Sequence, residues 1–154
     1  MKKISHWYLV ALVWGVLSAI LSLVVLKGQH VGVPLVLRVV LDLVTVAIVF
    51  LAGRKAKQQG AKPVGVGAVI GLIFGVVSGW PVFFVRVTRA QLVHSLHGRA
   101  VSPVVLAATL KYSNSAIGHI VSWLAVLIVS VLLSLIGGAI GGATVRNRTS
   151  ADDV

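Results

Sequence analysis

Apolar residues fill four long runs of the chain, and polar residues gather between these runs. The runs cover residues 6–26, 34–53, 64–85 and 116–143. Each is long enough to cross the roughly 30 Å hydrocarbon core of a bilayer as an α-helix, which takes about 20 residues. The pattern predicts one membrane domain, residues 1–154, with an all-α fold: an integral membrane four-helix bundle.

The connection between the third and fourth runs, residues 86–112, has a mixed pattern. Apolar and basic residues can occupy opposite sides of a first helix here, which predicts an amphipathic surface helix ending at Gly98. Ser102 and Pro103 resemble an N-cap and a first helical residue, so a second helix is expected to run to about Tyr112. Both helices are too short to span, and together they predict a short interfacial helical segment.

Three of the predicted spans carry small residues at every fourth position. A step of four residues turns an α-helix by about 400°, so these residues stay on one face. In lipid, small residues are typical of surfaces where two helix backbones approach closely. The stripes are Ala11, Gly15 and Ala19 in the first span, Gly67, Gly71, Gly75 and Gly79 in the third, and Ser130, Ser134, Gly138 and Gly142 in the fourth. We expect the stripe of the third span to pack against that of the fourth.

The composition supports a membrane location and indicates the kind of surface that the chain meets. Hydrophobic residues make up 58% of the chain, charged residues 11%, and the mean hydropathy is +1.03. The net charge of +11 comes from 14 Lys and Arg against 3 acidic residues. Because the bases lie at the edges of apolar runs, they predict contact with anionic headgroups of the lipid bilayer and no nucleic acid. The predicted headgroup-binding residues are Arg54, Lys55, Lys57, Lys62, Arg86 and Arg89.

The distribution of bases also predicts the orientation. Gly53 to Pro63 reads as a compact basic loop, and by the positive-inside rule it faces the cytoplasm. Four spans then place eight Lys and Arg on the side of the N-terminus and five on the other side. The sequence therefore predicts a multi-pass protein of the bacterial inner (cytoplasmic) membrane with both termini in the cytoplasm.

Arg38 and Asp42 are the only ionisable residues well inside a predicted span. Their i, i+4 spacing places them on one helix face, near the middle of the bilayer. One interpretation is an ion or proton site, since intramembrane acids mark such sites. The other is a structural ion pair, or an Asp42 hydrogen-bonded to Thr45 or to a neighbouring span. In the predicted orientation a polar vestibule around Asp42 could form from Arg38, Arg86, Asn114 and His119.

The sequence gives little support for thiol chemistry, a metal site or an enzyme active site. The chain has no cysteine, which excludes disulfides and thiolate chemistry. His94 and His97 lie three residues apart but have no acidic residue nearby, so they predict surface histidines and no metal site. No Ser/His/Asp arrangement or phosphate-binding glycine loop is present. We therefore expect no enzyme activity and no cofactor.

Two motifs support a resemblance to a known family. They are the glycine-edged basic stretch from Ala52 to Gly60, followed by Gly67 and Gly71, and the ending of the last span from Gly137 to Gly141. The chain resembles, from its first span to its last, a family of small four-span bacterial membrane proteins of unknown function. The resemblance implies a four-span fold, and it implies no catalytic residue, because that family has no assigned chemistry.

The leading hypothesis from these patterns is a packing or assembly protein of the inner membrane, either self-associating as a homo-oligomer or an accessory subunit of a larger membrane complex. The motivation is that the small-residue stripes offer more packing surface than one small bundle needs. An alternative is a small ion- or proton-coupled transporter or channel that uses Asp42. A further alternative is a holin-like pore former built on glycine-striped helices.

Overall fold

In the computed structural model, residues 4–27, 33–95 and 101–145 are described, and their regular structure is entirely helical, with no strand among them. The all-helical prediction is therefore confirmed. The helices of these ranges are α1 (Ser5–Lys27), α2 (Val33–Gln58), α3 (Pro63–Gly79), α4 (Arg89–Ser95), α5 (Pro103–Ser113) and α6 (Ala116–Ala143). A 3-10 turn, Trp80–Phe83, follows α3.

The four long helices α1, α2, α3 and α6 pack side by side. Helices α2 and α3 contact each other and both of the remaining two, whereas the described parts of α1 and α6 make no contact. Helices α2 and α3 therefore form the middle of the arrangement. We call the end that holds the connection 59–62 the turn end, and the opposite end, with the 3-10 turn, α4 and α5, the loop end.

Three of these helices are long and apolar enough to cross a membrane. The qualifying segments among the described residues are Ser5–Val24, Pro63–Phe83 and Ala116–Ala143. Helix α2 has 26 residues and carries Arg38 and Asp42 in its first half. The second predicted span, expected over 34–53, stays a prediction.

The expected loop from Gly53 to Pro63 is wrong in its first half, because α2 continues to Gln58. The helix ends in a Schellman motif: the Gly60 N–H donates to the Lys57 carbonyl over 3.1 Å, and the Ala61 N–H donates to the Ala56 carbonyl over 2.9 Å. Gly60 has a φ of 70°, the left-handed conformation that this motif requires. Pro63 then begins α3, where its missing N–H costs no hydrogen bond.

The third apolar run also departs from the expected span of 64–85. The α-helix ends at Gly79, and Pro81 lies inside the 3-10 turn that follows. Proline lacks the N–H that the next α-helical hydrogen bond would need, so the helix tightens here instead of merely bending. The turn closes with the Phe84 N–H donating to the Pro81 carbonyl over 3.0 Å.

The connection between α3 and α6 contains the two expected helices, and its interfacial position stays a prediction. Helix α4 has seven residues, and the expected continuation to Gly98 lies outside the described residues. The N-cap predicted for α5 is confirmed: the Ser102 hydroxyl accepts a hydrogen bond from the Val105 N–H, and Pro103 is the first helical residue. A similar cap begins α6, where the Ser115 hydroxyl accepts from the Gly118 N–H over 3.1 Å.

Small side chains dominate the buried positions, and large apolar side chains face outward. The main buried cluster lies toward the turn end and consists of Ala11, Val49, Ala52, Ala56, Val66 and Ile70. Helix α6 has a continuous outer stripe of exposed residues: Ile117, Ile120, Leu124, Ile128, Leu132, Ile136 and Ile140. The helices are thus held together by close backbone approach, while most of the apolar side-chain surface remains on the exterior.

Candidate functional site: glycine contacts and Asp42

The stripe of α3 lies directly against α6. A methyl group added at Gly67 would overlap the carbonyl oxygen of Ser134, and one added at Gly71 would lie 2.7 Å from the Ser134 Cβ. Distances below about 3.0 Å leave no space for a side chain, so these backbones are in contact through their glycines. Ser134 itself is buried. This contact surface is called the α3–α6 seam.

The α3–α6 seam continues toward the loop end, where the glycines of α3 face larger residues of α6. A methyl group at Gly75 would lie 3.0 Å from the Leu127 Cα, and one at Gly79 would lie 2.8 Å from the Trp123 Cδ1. Backbone therefore meets backbone near Gly67, and backbone meets an aromatic ring near Gly79. Toward the loop end, the close approach of α3 and α6 therefore restricts the size of the facing residues less than it does near Gly67.

A second glycine contact surface, the α2–α6 seam, was not anticipated from the sequence. A methyl group at Gly53 would overlap the Gly138 carbonyl oxygen, and one at Gly141 would overlap the Phe50 carbonyl oxygen. Gly137 lies beside Val49, with 3.1 Å between its added methyl and the Val49 Cγ1. The sequence places Gly53 at the boundary between the predicted span 34–53 and the basic loop, which gives no indication of its role in helix packing.

The doubled glycines at the end of α6 explain how one helix forms two seams. Adjacent residues differ by about 100° around an α-helix, so two neighbouring glycine columns face two different neighbours. Gly138 and Gly142 meet the start of α3, where an added methyl at either would contact Pro63. Gly137 and Gly141 meet α2. This pairing is the sequence signal that could have revealed the second seam.

The small residues of α1 face α3. Ala11, Ala19 and Ser18 are buried, and a methyl group at Gly15 would lie 3.1 Å from the Val77 Cβ. The Ser18 hydroxyl and the Trp7 indole N–H are buried and have no hydrogen-bond partner among the described residues. The approach of α1 is looser than either seam of α6, because Gly15 meets a side chain and not a carbonyl group.

Asp42 is exposed on the outer side of α2 and is surrounded along the helix by apolar residues that are also exposed. These are Val39, Leu43 and Val46. We call Val39, Asp42, Leu43 and Val46 the outer face of α2. No side chain that the structure describes forms an ion pair or hydrogen bond with Asp42, and the Arg38 side chain lies outside the described part. The Arg38–Asp42 pair therefore stays a prediction.

Thr45 forms hydrogen bonds with Leu41 and Trp14 and not with Asp42. Its hydroxyl donates to the Leu41 carbonyl over 2.8 Å and accepts from the Trp14 Nε1–H over 2.9 Å. A hydroxyl has one proton, so Thr45 has none left to donate to Asp42. The suggested Asp42–Thr45 hydrogen bond is not formed, and Thr45 instead joins α2 to α1.

Of the residues proposed for a vestibule around Asp42, Arg86, Asn114 and His119 form no hydrogen bond or ion pair with it in the described structure. Helix α2 contacts α1, α3 and α6 but none of the described parts of the 3-10 turn, α4 and α5. Arg86 is exposed, and the ring of His119 lies 6.3 Å from that of Phe83, between ring centroids. The structure thus provides no contact between these side chains and Asp42.

Asn114 has a structural role that sequence reasoning missed. Its Oδ1 accepts from the Val87 N–H over 2.8 Å, and its Nδ2 donates to the carbonyls of Val87 over 2.9 Å and Leu110 over 3.1 Å. The side chain therefore holds the segment after the 3-10 turn to the junction of α5 and α6. Asparagine at a helix end has many such uses, so the residue alone did not indicate this partner.

Basic side chains are exposed at both ends of the molecule. Arg54, Lys55, Lys57 and Lys62 lie at the turn end, and Arg86 and Arg89 lie at the loop end. His94 is exposed, and His97 lies outside the described residues. Within the described ranges no group of three or more His, Cys, Asp and Glu side chains is placed to hold a metal ion.

Comparison of the chain with protein-family models, with curated proteins and with solved structures finds no match. The resemblance to a family of small four-span bacterial membrane proteins stays a prediction.

Proposed function

We propose that the protein is a small four-span bundle of the bacterial inner membrane that acts in packing or assembly, and that it associates through the outer face of α2 around Asp42. The observation that carries the proposal is the exposure of this carboxylate in the middle of an apolar helix surface. Catalytic chemistry has no part in the proposal.

The distribution of side chains on the exterior supports a membrane location. Pro63–Phe83 has 21 residues, which at about 1.5 Å per residue matches a hydrocarbon core of roughly 30 Å. Trp7 and Tyr8 lie at the turn end, and Trp80 and Phe84 form an edge-to-face pair at the loop end, with 4.8 Å between ring centroids. Aromatic rings at both boundaries are typical of membrane spans.

In this setting the position of Asp42 favours a protein partner. A charged Asp at the centre of a membrane helix costs about 2.5–3.5 kcal/mol on insertion scales, and such residues almost always face protein or water. The four long helices of one copy leave Asp42 uncovered by any side chain that the structure describes. A further helix packed on the outer face of α2 would remove this exposure.

A second copy of the chain fits this face. Arg38 lies one helical turn before Asp42, so two α2 helices side by side place an arginine and a carboxylate at similar depths. The exposed valines and leucine beside Asp42 supply an apolar surface around the polar contact. By contrast, an Asp42-dependent transport function would need a polar pathway, and the described residues that are exposed beside Asp42 along α2 are apolar.

Cross-linking can test the proposed interface directly, because the chain has no cysteine of its own. Val39→Cys and Val46→Cys place single thiols on the outer face of α2, and Ile128→Cys and Ile136→Cys place matched thiols on the outer stripe of α6. We expect oxidation in native membranes to give disulfide-linked dimers from the α2 variants and little from the α6 variants. A strict monomer, or equal cross-linking from both helices, would contradict the proposal.

Substitution of Asp42 separates assembly from transport. Interhelical polar contacts in membranes contribute about 1 kcal/mol, so Asp42→Leu in the Val39→Cys background should lower the dimerisation constant about fivefold. Asp42→Asn retains hydrogen-bonding atoms and should have a smaller effect. If Asp42→Asn instead abolished a pH-dependent ion flux in liposomes while dimer formation was unchanged, the transporter hypothesis would replace this one.

A further inference from the structure

A groove opens at the turn end, where the last turn of α2, the first turn of α3 and the last turn of α6 meet. Its volume is about 460 Å³, within the range of small-molecule sites. Its lining includes Lys57, Pro63, Val64, Ala139, Ala143 and Val145. We call this feature the turn-end groove.

The packing described above fixes the shape of the turn-end groove. The Schellman motif at Gly60 places Lys57 and Pro63 on either side of a short connection. Gly142, also in the lining, brings the end of α6 against Pro63, where an added side chain would overlap the proline ring. The wall side chains are mostly apolar, since Ala139 and Ala143 present only methyl groups, while polar atoms make up a comparable part of the groove surface.

The charges around the groove favour an anion. Lys57 is exposed at the groove, and Arg54, Lys55 and Lys62 are exposed at the same end of the molecule. The only carboxylate side chain of residues 4–145 is Asp42, which lies in the first half of α2, far along the helix from Lys57. The positive end of the α3 dipole at Pro63 and Val64 faces the negative ends of α2 and α6 at the same groove, so the net positive charge here comes from the basic side chains.

We propose that the turn-end groove binds one anionic phospholipid, with the phosphate held by Lys57 and an acyl chain lying along Pro63, Val64 and Ala143. The combination of an apolar wall and a cationic rim matches a molecule that is apolar along its length and anionic at its head. This site rests on the membrane location of the proposed function, but it does not depend on the outer face of α2 or on dimer formation.

The test measures lipid retention by the purified, delipidated full chain in detergent. Phosphatidylglycerol and phosphatidylcholine are added separately, and bound lipid is counted by native mass spectrometry. We expect the wild type to retain one phosphatidylglycerol with a clear preference over phosphatidylcholine. Lys57→Gln should lower retention about fivefold, the effect of one basic residue at a lipid surface.

Lys111→Gln is the control, because Lys111 is exposed in the last turn of α5 at the loop end and is not part of the groove. It should retain phosphatidylglycerol like the wild type. Ala143→Leu keeps the charge but fills the groove, and it should also lower retention. Equal losses from Lys111→Gln and Lys57→Gln, or no effect of Ala143→Leu, would overturn the site in favour of general attraction between charges.

Two further measurements keep this result separate from the proposed function. Inorganic phosphate should not displace the lipid at millimolar concentration; if it did, the site would be a phosphate site and not a lipid site. Alkaline extraction of native membranes should leave wild type and Lys57→Gln equally embedded. If the wild type itself were extracted, the membrane location would be wrong, whereas failure of lipid retention alone would remove only the groove assignment.

Discussion

The turn end and the loop end of the molecule are held together in different ways. At the turn end, glycine and alanine bring the backbones of three helices into contact, as where Gly53 meets Gly138 and Gly67 meets Ser134. At the loop end, Asn114 joins the chain segments by hydrogen bonds, and Phe83 lies near the rings of His119 and Trp123.

The difference shows what each kind of contact tolerates. A backbone contact has no adjustable atoms, so any added carbon must separate two helices. A side-chain contact can be altered one hydrogen bond at a time, because rotamers and neighbouring side chains can adjust. The turn end is expected to respond to substitution with loss of packing, and the loop end with local opening.

The largest effect is expected at the α3–α6 seam. Gly67→Ala should destabilise the fold by about 3 kcal/mol, the upper part of the range for overpacking, because the new methyl would overlap a backbone carbonyl and not a movable side chain. The measurement is the midpoint of unfolding in mixed detergent and denaturant.

Gly65→Ala is the matched control for this change, two residues away in the same helix. Its added methyl would meet nothing closer than the Lys62 Cβ at 3.9 Å. Replacing glycine by alanine in a helix at an open position should stabilise by about 0.4–1 kcal/mol. If both substitutions shifted stability in the same direction, the distinction between contact and open glycines would fail.

A smaller and more local effect is expected from Asn114→Ala. The substitution leaves the Val87 N–H and carbonyl without their partner, which should cost about 2 kcal/mol at the loop end. Hydrogen exchange should become faster at the amides of residues 85–88 and α5, with no change in the second half of α2.

Asn114→Asp provides the control, because it retains the oxygen that accepts from Val87 but loses the two donated hydrogen bonds. It should give an intermediate acceleration. Faster exchange at the turn end as well would show that the two ends do not unfold independently.

The smallest effect is expected from the cap of α6. Ser115→Ala removes the hydroxyl that accepts from the Gly118 N–H and should cost about 1 kcal/mol, seen as faster exchange in the first turn of α6 only. Ser115→Gly should cost only a few tenths of a kcal/mol, since glycine is acceptable at this position. A global loss of stability from Ser115→Ala would mean that the loop end controls the whole fold.

The sequence predicted those parts of the structure that depend on local pattern. Ser102 with Pro103 marked the start of α5, and the apolar runs marked the long helices, because caps and hydrophobic length act within a few residues. The end of α2 was misplaced since Arg54, Lys55 and Lys57 resembled a polar loop, although basic residues also stabilise the last turn of a helix.

The candidate site was less accessible to sequence reasoning. The direction in which Asp42 faces depends on the rotation of α2 about its own axis relative to α6. That rotation is fixed where Gly137 and Gly141, which lack side chains, allow α2 to approach α6 closely. The partner of Asn114 is 27 residues away in the chain, and no periodic pattern connects them. These contacts are decided by packing between helices, which a single sequence does not encode in a local form.

The Schellman-closed connection after α2 has a consequence for how the protein is made. Only residues 59–62 separate α2 from α3, so in the proposed membrane location the two helices leave the ribosome nearly together and can enter the lipid as a hairpin. Helix α3 has no charged residue. The favourable free energy of transferring its apolar side chains into lipid can offset the unfavourable transfer of Asp42 in α2. We therefore expect synthesis of α3, rather than of α2, to be the step that commits both helices to the bilayer.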